Sequence, residues 1–317
     1  MKRRTTDGGS HQWKQARCES PSIAPGSTRA AEIVDGPLAA ALLPTALLEA
    51  PPTIQLRLGE VAADGSGASL VAHAIAERGL CHCRCGLSPA LGAAARAEAA
   101  SLYADGNVFA TKGFVKEGRR VPPDAEQRAD LCVMLSDDPD HELHSKVRAL
   151  LAIDAAIERF AHATVEQLGL LEVDEREPLG SGPGGERLSY SSRGDLMLAV
   201  YPGHNSFHRV HIDNADGDGR AGRDFGRVLT FIYYLNDGWT REDGGALRLH
   251  LPRDARGLAA AAARAAGRSP AIDVLPRLDS LAVFRADRVM HEVRPCPTRH
   301  RYAASMWICC GSAADHD

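Results

Sequence analysis

The second half of the chain is written in short runs of β-forming residues. Residues 196–201, 228–236, 246–251, 280–284 and 302–309 are separated by clusters of Gly, Pro, Asp and Asn, the punctuation that closes strands. From Leu188 onward this spacing predicts antiparallel strands in a sandwich or jelly roll. Ahead of it the periodicity is helical. Residues 66–78 and 87–104 read as helices, and 141–168 keeps Val147, Leu150, Ile153, Ile157, Phe160 and Val165 on one face. Between the first two, residues 78–86 alternate like a strand, and the Ala/Arg/Gly segment 254–268 reads as a helical loop insertion. Helices first and strands later is an α+β order, which excludes the βαβ alternation of a nucleotide-binding sheet.

At 317 residues the length alone would allow two domains of about 150 residues each. Residues 1–60 argue against that. They carry Gly8-Gly9, Pro25-Gly26, Pro44 and Pro51-Pro52 without sustained periodicity, and read as a disordered tail with one short apolar helix. The longest apolar stretch, 38–48, is far below the ~20 residues that span a bilayer, so no membrane segment is expected. With 37 basic against 41 acidic residues there is no broad positive field for nucleic acid or anionic lipid. A small molecule or a protein is the expected partner. Eight cysteines without a disulfide-type rhythm point to a reducing compartment. Met1-Lys-Arg-Arg4 is followed by polar residues, unlike a secretory signal. The expectation is a cytoplasmic protein, with the nucleus also compatible and an acid-poor 1–30 segment that an organelle transit peptide could use.

The chemistry concentrates in Arg209-Val-His-Ile-Asp-Asn214. On a strand, residues two apart share a face, so His211 and Asp213 can aim at one ion. A second imidazole from a distant strand would complete two nitrogens and one carboxylate on one face of a metal, leaving the other positions open. His291 follows a strand and a turn and is the natural candidate. Ten residues on lies Arg301, whose planar fork suits a carboxylate; Ala303, Ser305 and Trp307 share its face, and Ser305 could add a hydroxyl. Alone, His-x-Asp reads first as a surface ion pair or an Asx turn, and it is the conjunction with His291 and Arg301 that favours a metal; Arg299 shares the parity of Arg301.

At this point the sequence resembles a known family. Leu198-Ala-Val-Tyr-Pro-Gly203, His211-Ile-Asp-Asn-Ala-Asp-Gly-Asp-Gly-Arg220, Leu229-Thr-Phe-Ile-Tyr-Tyr-Leu-Asn236, Gly244-Gly-Ala-Leu-Arg-Leu249, Asp287-Arg288, His291-Glu-Val-Arg-Pro295 and Arg301-Tyr-Ala303 with Trp307 are similar to the hypoxia-inducible-factor prolyl hydroxylase branch of the iron and 2-oxoglutarate dioxygenases. The blocks cover about residues 188–310. The resemblance implies a double-stranded β-helix (jelly roll) core with supporting N-terminal helices, in one catalytic unit over 65–311 between tails at 1–60 and 312–317. It implies that His211, Asp213 and His291 hold Fe(II), that Arg301 pairs with the 5-carboxylate of 2-oxoglutarate, that Tyr234 donates its hydroxyl to that carboxylate, and that Tyr201 lines the pocket nearer the metal. Tyr233, on the opposite face, is then a core residue. O2 is the other cosubstrate, L-ascorbate keeps the iron reduced, and 2-oxoglutarate leaves as succinate and CO2. The implied partner is a protein substrate hydroxylated at carbon 4 of a proline, with oxygen sensing as a possible role, and the enzyme is expected as a monomer. Residues 221–227 and 254–269 depart from the family as insertions. They put the substrate in doubt more than the chemistry.

Two alternatives stand beside this reading: an oxygenase acting on another residue or a small molecule, and a catalytically silent jelly-roll binding module. Cys81-His-Cys-Arg-Cys85 lacks the spacing of a zinc site and reads as a buried strand. Gly180-Ser-Gly-Pro-Gly-Gly185 is preceded by no strand, and nucleotide binding is discounted. Lys112, Lys116, Arg119 and Arg120 read as a basic loop.

Overall fold

The computed structural model describes residues 45–48, 53–58, 65–110, 114–116, 119–121, 127–171, 188–214 and 226–312. In chain order it forms β1 (Thr45–Leu47), β2 (Ile54–Gln55), α1 (Gly65–Arg78), β3 (Leu80–Arg84), α2 (Pro89–Asp105), a hairpin of β4 (Phe114–Lys116) and β5 (Arg119–Val121), β6 (Leu131–Leu135) and α3 (Arg148–Leu170). Then follow β7 (Leu188–Arg193), β8 (Leu196–Tyr201), β9 (Ser206–His211), β10 (Arg227–Tyr234), β11 (Leu247–His250), α4 (Leu258–Ala265), β12 (Ser269–Val274), β13 (Ser280–Arg285), β14 (His291–Cys296) and β15 (Arg301–Ser312). The expected α+β jelly roll is observed.

Two sheets face each other. The larger runs β2-β3-β13-β10-β15-β8-β6, with β7 also on β15, and the smaller runs β1-β12-β11-β14-β9. Period-two alternation assigns each strand residue to one of two cores. On β10, Leu229, Phe231 and Tyr233 join the core shared with α1, α2 and α3, while Ile232 and Tyr234 face the core between the sheets. On β15, Tyr302, Ala304, Met306 and Ile308 point to the helices.

Local chemistry sets the helices. Ser88 caps α2 by accepting from the Leu91 amide (3.2 Å), Pro89 opens it, and Gly106 closes it at φ +72°. The α3 amides of Ala149 and Leu150 each donate to the Glu98 carboxylate at 2.9 Å, so an anion on α2 meets the positive end of α3. That contact fixes the two helices against each other beneath the larger sheet.

Several boundaries differ from expectation. Within the stretch read as a tail, β1 pairs in parallel with β12 and β2 with β3. Short extended segments there satisfy sheet-edge amides and carbonyls that would otherwise stand open. β15 includes Ser312, the first residue of the expected C-terminal tail. Lys116, Arg119 and Arg120 lie on a hairpin instead of a loop. Residues 1–44, 49–52 and 59–60 of the expected N-terminal tail, Lys112, 180–185, 221–225 of the expected insertion and 313–317 lie outside the described residues. Cys81 and Cys83 lie on buried β3 and Cys85 just past its end, with Cys81 and Cys83 Sγ 3.5 Å apart.

Candidate metal centre

The site is made by strand pairing. β14 runs antiparallel to β9 with His291 directly opposite His211, which brings their rings to 4.1 Å. β9 ends at His211, so Asp213 lies just past the strand and not on it as the spacing suggested. The Asn214 amide there bonds to the Ala286 carbonyl (3.0 Å), and the turn still delivers Asp213 to the same side. Asp213 Oδ1 lies 3.7 Å from His211 Nε2, and Oδ2 lies 3.7 Å from His291 Nε2. One donor atom from each residue fits within 4.8 Å of the others, the separation expected of ligands about 2 Å from a common ion.

The donors are prepared for that ion. His211 Nδ1 lies 2.8 Å from the Arg209 carbonyl and His291 Nδ1 3.2 Å from that of Val289. A carbonyl only accepts, so Nδ1 carries the proton and Nε2 presents its lone pair. Burial and the neighbouring His211 lower His291 to about 4, which keeps it neutral at physiological pH. Burial opposes the charge on Asp213, yet His291, His211, Trp307 and Thr230 together hold its carboxyl at about 2. Thr230 Oγ1 donates to Asp213 Oδ2 at 2.7 Å, and Trp307 Nε1 donates to the same oxygen at 3.0 Å. These bonds orient a carboxylate that would otherwise rotate.

A cavity of about 520 Å³ opens on the triad, walled by Tyr201, Arg301, Ser305 and Trp307 among others. Arg301 is 1% exposed. Its Nε donates to the Gly245 carbonyl at 2.8 Å, and its guanidinium lies 4.8 and 5.2 Å from the ring centres of Tyr201 and Tyr234. No carboxylate among the described residues pairs with it. A buried cation in that state calls for an anion. Tyr234 is buried, and its hydroxyl has no hydrogen-bond partner among the described residues; burial pushes it up to about 12 against the pull of Arg301, so it stays a neutral donor. Arg299 is separated from Arg301: it bonds Asp243 at 3.0 Å and stacks on Trp239. Leu247 also lines the cavity.

Three features were not read from the sequence. Thr230 is one, and its signal was a small hydroxyl residue set among Val228, Leu229, Phe231 and Ile232. His208 stacks on His211 with ring centres 3.9 Å apart. Arg128 and Asp130 form a buried pair in the cavity wall, at 2.7 and 2.6 Å.

Residues 196–309 match the 2OG-Fe(II) oxygenase superfamily, and those residues contain the triad intact. This region of the chain is a 2OG-Fe(II) oxygenase region. Fe(II) and 2-oxoglutarate follow from that family and this donor set. The chain is 38% identical over 117 residues to the hypoxia-inducible factor prolyl hydroxylase of Caenorhabditis elegans, covering 36% of this chain and 13% of that one. It is 34% identical over 140 residues to the prolyl hydroxylase EGLN3 of Mus musculus, covering 44% and 49%. The chain thus spans less than half the length of these relatives. In fold, the oxygenase is similar to a Trichoplax adhaerens prolyl hydroxylase solved with a hypoxia-inducible-factor peptide fragment (TM-score 0.55, 20% identity, 80% of this chain and 94% of that one). A Pseudomonas putida prolyl-4-hydroxylase gives TM-score 0.53 at 24% identity, over 76% and 98%. Among the described residues no helix is long and apolar enough to cross a membrane.

Proposed function

We propose that this oxygenase hydroxylates a prolyl residue of a protein at carbon 4, coupled to decarboxylation of 2-oxoglutarate to succinate and CO2. The observation that carries the cosubstrate is Arg301, a buried cation with no acid partner among the described residues, in the same cavity as the triad. Arg301 pairs with the 5-carboxylate end-on, Tyr234 donates its free hydroxyl to that carboxylate, and Ser305 adds a second hydroxyl from the same face of β15. Tyr201 closes the pocket wall nearer the metal. His211, Asp213 and His291 would hold the iron, which when bound would supply the oxidising power that a C–H bond demands. The protein's own part is to orient the carboxylate of Asp213 through Thr230 and Trp307, to keep both imidazoles in the metal-binding tautomer, and to enclose the cosubstrate.

The prolyl target is supported by the two prolyl hydroxylase relatives, at 38% identity over 117 residues and 34% over 140. Ascorbate is the reductant this reading expects, and a reducing compartment suits seven described cysteines that are all free. Mass spectrometry of proline-containing peptides exposed to enzyme, Fe(II) and 2-oxoglutarate tests the target. A single added oxygen on proline supports it. Succinate released with oxygen on another residue or a small molecule overturns the prolyl assignment and leaves the oxygenase. Initial rates against dissolved oxygen test a sensing role, which requires turnover that follows oxygen through the physiological range. Arg301→Ala should raise the 2-oxoglutarate KM about 100-fold, and an unchanged KM would move the carboxylate site elsewhere.

A further inference from the structure

The loop joining β10 to β11 is heavily tied for a segment without regular structure. Trp239 Nε1 donates to the Gly244 carbonyl at 3.0 Å, and the Gly245 amide donates to the Pro295 carbonyl at 2.9 Å. Asp243 Oδ2 accepts from the Thr240 amide (2.8 Å), the Thr240 hydroxyl (3.1 Å) and Arg299 Nη1 (3.0 Å). Arg299 also donates to the carbonyls of Asp237 (2.8 Å) and Gly238 (3.2 Å). These bonds place one acceptor, the Gly245 carbonyl that receives Arg301 Nε at 2.8 Å.

That contact limits how Arg301 can present itself. A guanidinium offers a carboxylate two forked edges, Nε with one Nη, or the two Nη atoms end-on. With Nε–H already given to Gly245, only the end-on fork remains. Gly245 sits at φ +62°, and a Cβ there would stand 3.0 Å from Arg301 Cδ and 3.4 Å from Cys296 Sγ. Gly244 is at φ +67°, where a Cβ would meet the Pro295 carbonyl oxygen at 2.5 Å. Both positions need a residue without a side chain, and at 245 the atom a side chain would push is the stem of Arg301.

We propose that the Gly244-Gly245 turn positions the cosubstrate arginine, its carbonyl leaving Arg301 only the end-on fork and thereby fixing the chain length of the 2-oxo diacid the site accepts. This rests on Arg301 being the partner of the 5-carboxylate. Gly245 is a positioning residue, since it acts through Arg301.

The test is anaerobic titration of the full-length Fe(II) protein with 2-oxoglutarate, oxaloacetate (one carbon shorter) and 2-oxoadipate (one carbon longer), following the visible charge-transfer band, with KM and kcat measured alongside. Gly245→Ala should weaken 2-oxoglutarate about tenfold in Kd and KM while kcat changes less than about threefold, and should narrow the preference over the other two acids. Trp239→Phe keeps an aromatic ring but removes the donor to Gly244; it should shift both quantities in the same direction by about threefold, and it carries the test if Gly245→Ala does not fold. Unchanged selectivity in the folded variant overturns the proposal, as does a loss of kcat without a change in Kd. If Arg301→Ala binds 2-oxoglutarate as well as the parent, the underlying reading of Arg301 fails. If Arg301→Ala loses affinity while Gly245→Ala and Trp239→Phe do not, only the positioning role fails.

Discussion

The two faces of the larger sheet were built from the same strands for opposite purposes. The face toward α1, α2 and α3 is a continuous apolar layer in which Phe231, Leu198 and Ile308 are fully buried. The face toward the smaller sheet carries Thr230, Arg301 and Ser305, all buried as well, and each either orients Asp213 or lines the metal cavity. Burying polar groups costs stability unless they are paired. The apolar face offsets that cost, and the polar face uses it to hold a charged ligand set. The division teaches that burial alone does not separate scaffold from site in this fold; strand parity does.

Asp213→Ala should break the comparison most severely. It removes the carboxylate ligand, and both Fe(II) binding and succinate formation should fall at least about 1,000-fold. The fold should survive, because Asp213 lies past the end of β9; circular dichroism and metal titration check the two halves of the statement. On the other face, Phe231→Ala should cost about 3–5 kcal/mol of unfolding free energy, while the 2-oxoglutarate KM of the folded fraction stays at the parent value. A KM shift comparable to that of Arg301→Ala would show that the faces are not independent.

The faces should also differ in their response to acid. His291 is lowered to about 4 by burial and by His211, against about 6.5 when unfolded. Between those values the unfolded chain binds the extra proton, so His291 adds stability as pH rises from 4 to 6.5 and withdraws it on acidification, at most about 3 kcal/mol in metal-free protein. Asp154 on α3 is raised to about 6 by burial and works with the opposite sign over pH 3.8 to 6. Melting curves of the parent minus His291→Gln, taken across pH 4–7, isolate the first effect. A smaller loss is expected from Thr230→Val, which keeps shape and deletes the 2.7 Å bond to Asp213: about 10-fold in Fe(II) affinity, the lower end for a ligand's supporting hydrogen bond.

Much of this was legible in the chain and some was not, for physical reasons. β8 and β10 stand out because buried β-branched and aromatic residues fill both faces of a central strand, and α3 because its apolar stripe repeats over 23 residues. β12 and β14 were not predicted as strands, and of β9 only the stretch around His211 was. They are as long as β8 and β13, at six residues each, but Ser206-Phe-His-Arg-Val-His211 presents polar residues to a cavity where alternation would place apolar ones. The triad was legible as residue types but its closeness depends on the β9–β14 register, a long-range pairing. Arg299 and Arg301 share parity in the sequence, and only the loop carrying Asp243 shows that one is occupied by an acid and the other is not.

The finest form of the comparison is a pair of adjacent residues. Tyr233 and Tyr234 are both fully buried, and both hydroxyls lack a hydrogen-bond partner among the described residues. By burial and bonding they are alike; they differ in the face they occupy, Tyr233 in the helix-side core and Tyr234 in the inter-sheet core beside Arg301. Removing an unpartnered buried hydroxyl should be neutral or mildly stabilising where nothing ever binds it. Tyr233→Phe should therefore leave the 2-oxoglutarate KM unchanged and raise the melting temperature slightly. Tyr234→Phe should show the same small gain without cosubstrate, yet raise the KM about three- to tenfold if its hydroxyl serves the 5-carboxylate as proposed. Thermal shift with and without 2-oxoglutarate reads both terms on one sample. Equal behaviour of the two variants would mean that Tyr234 is core like its neighbour, and would leave Arg301 and Ser305 to hold the carboxylate by themselves.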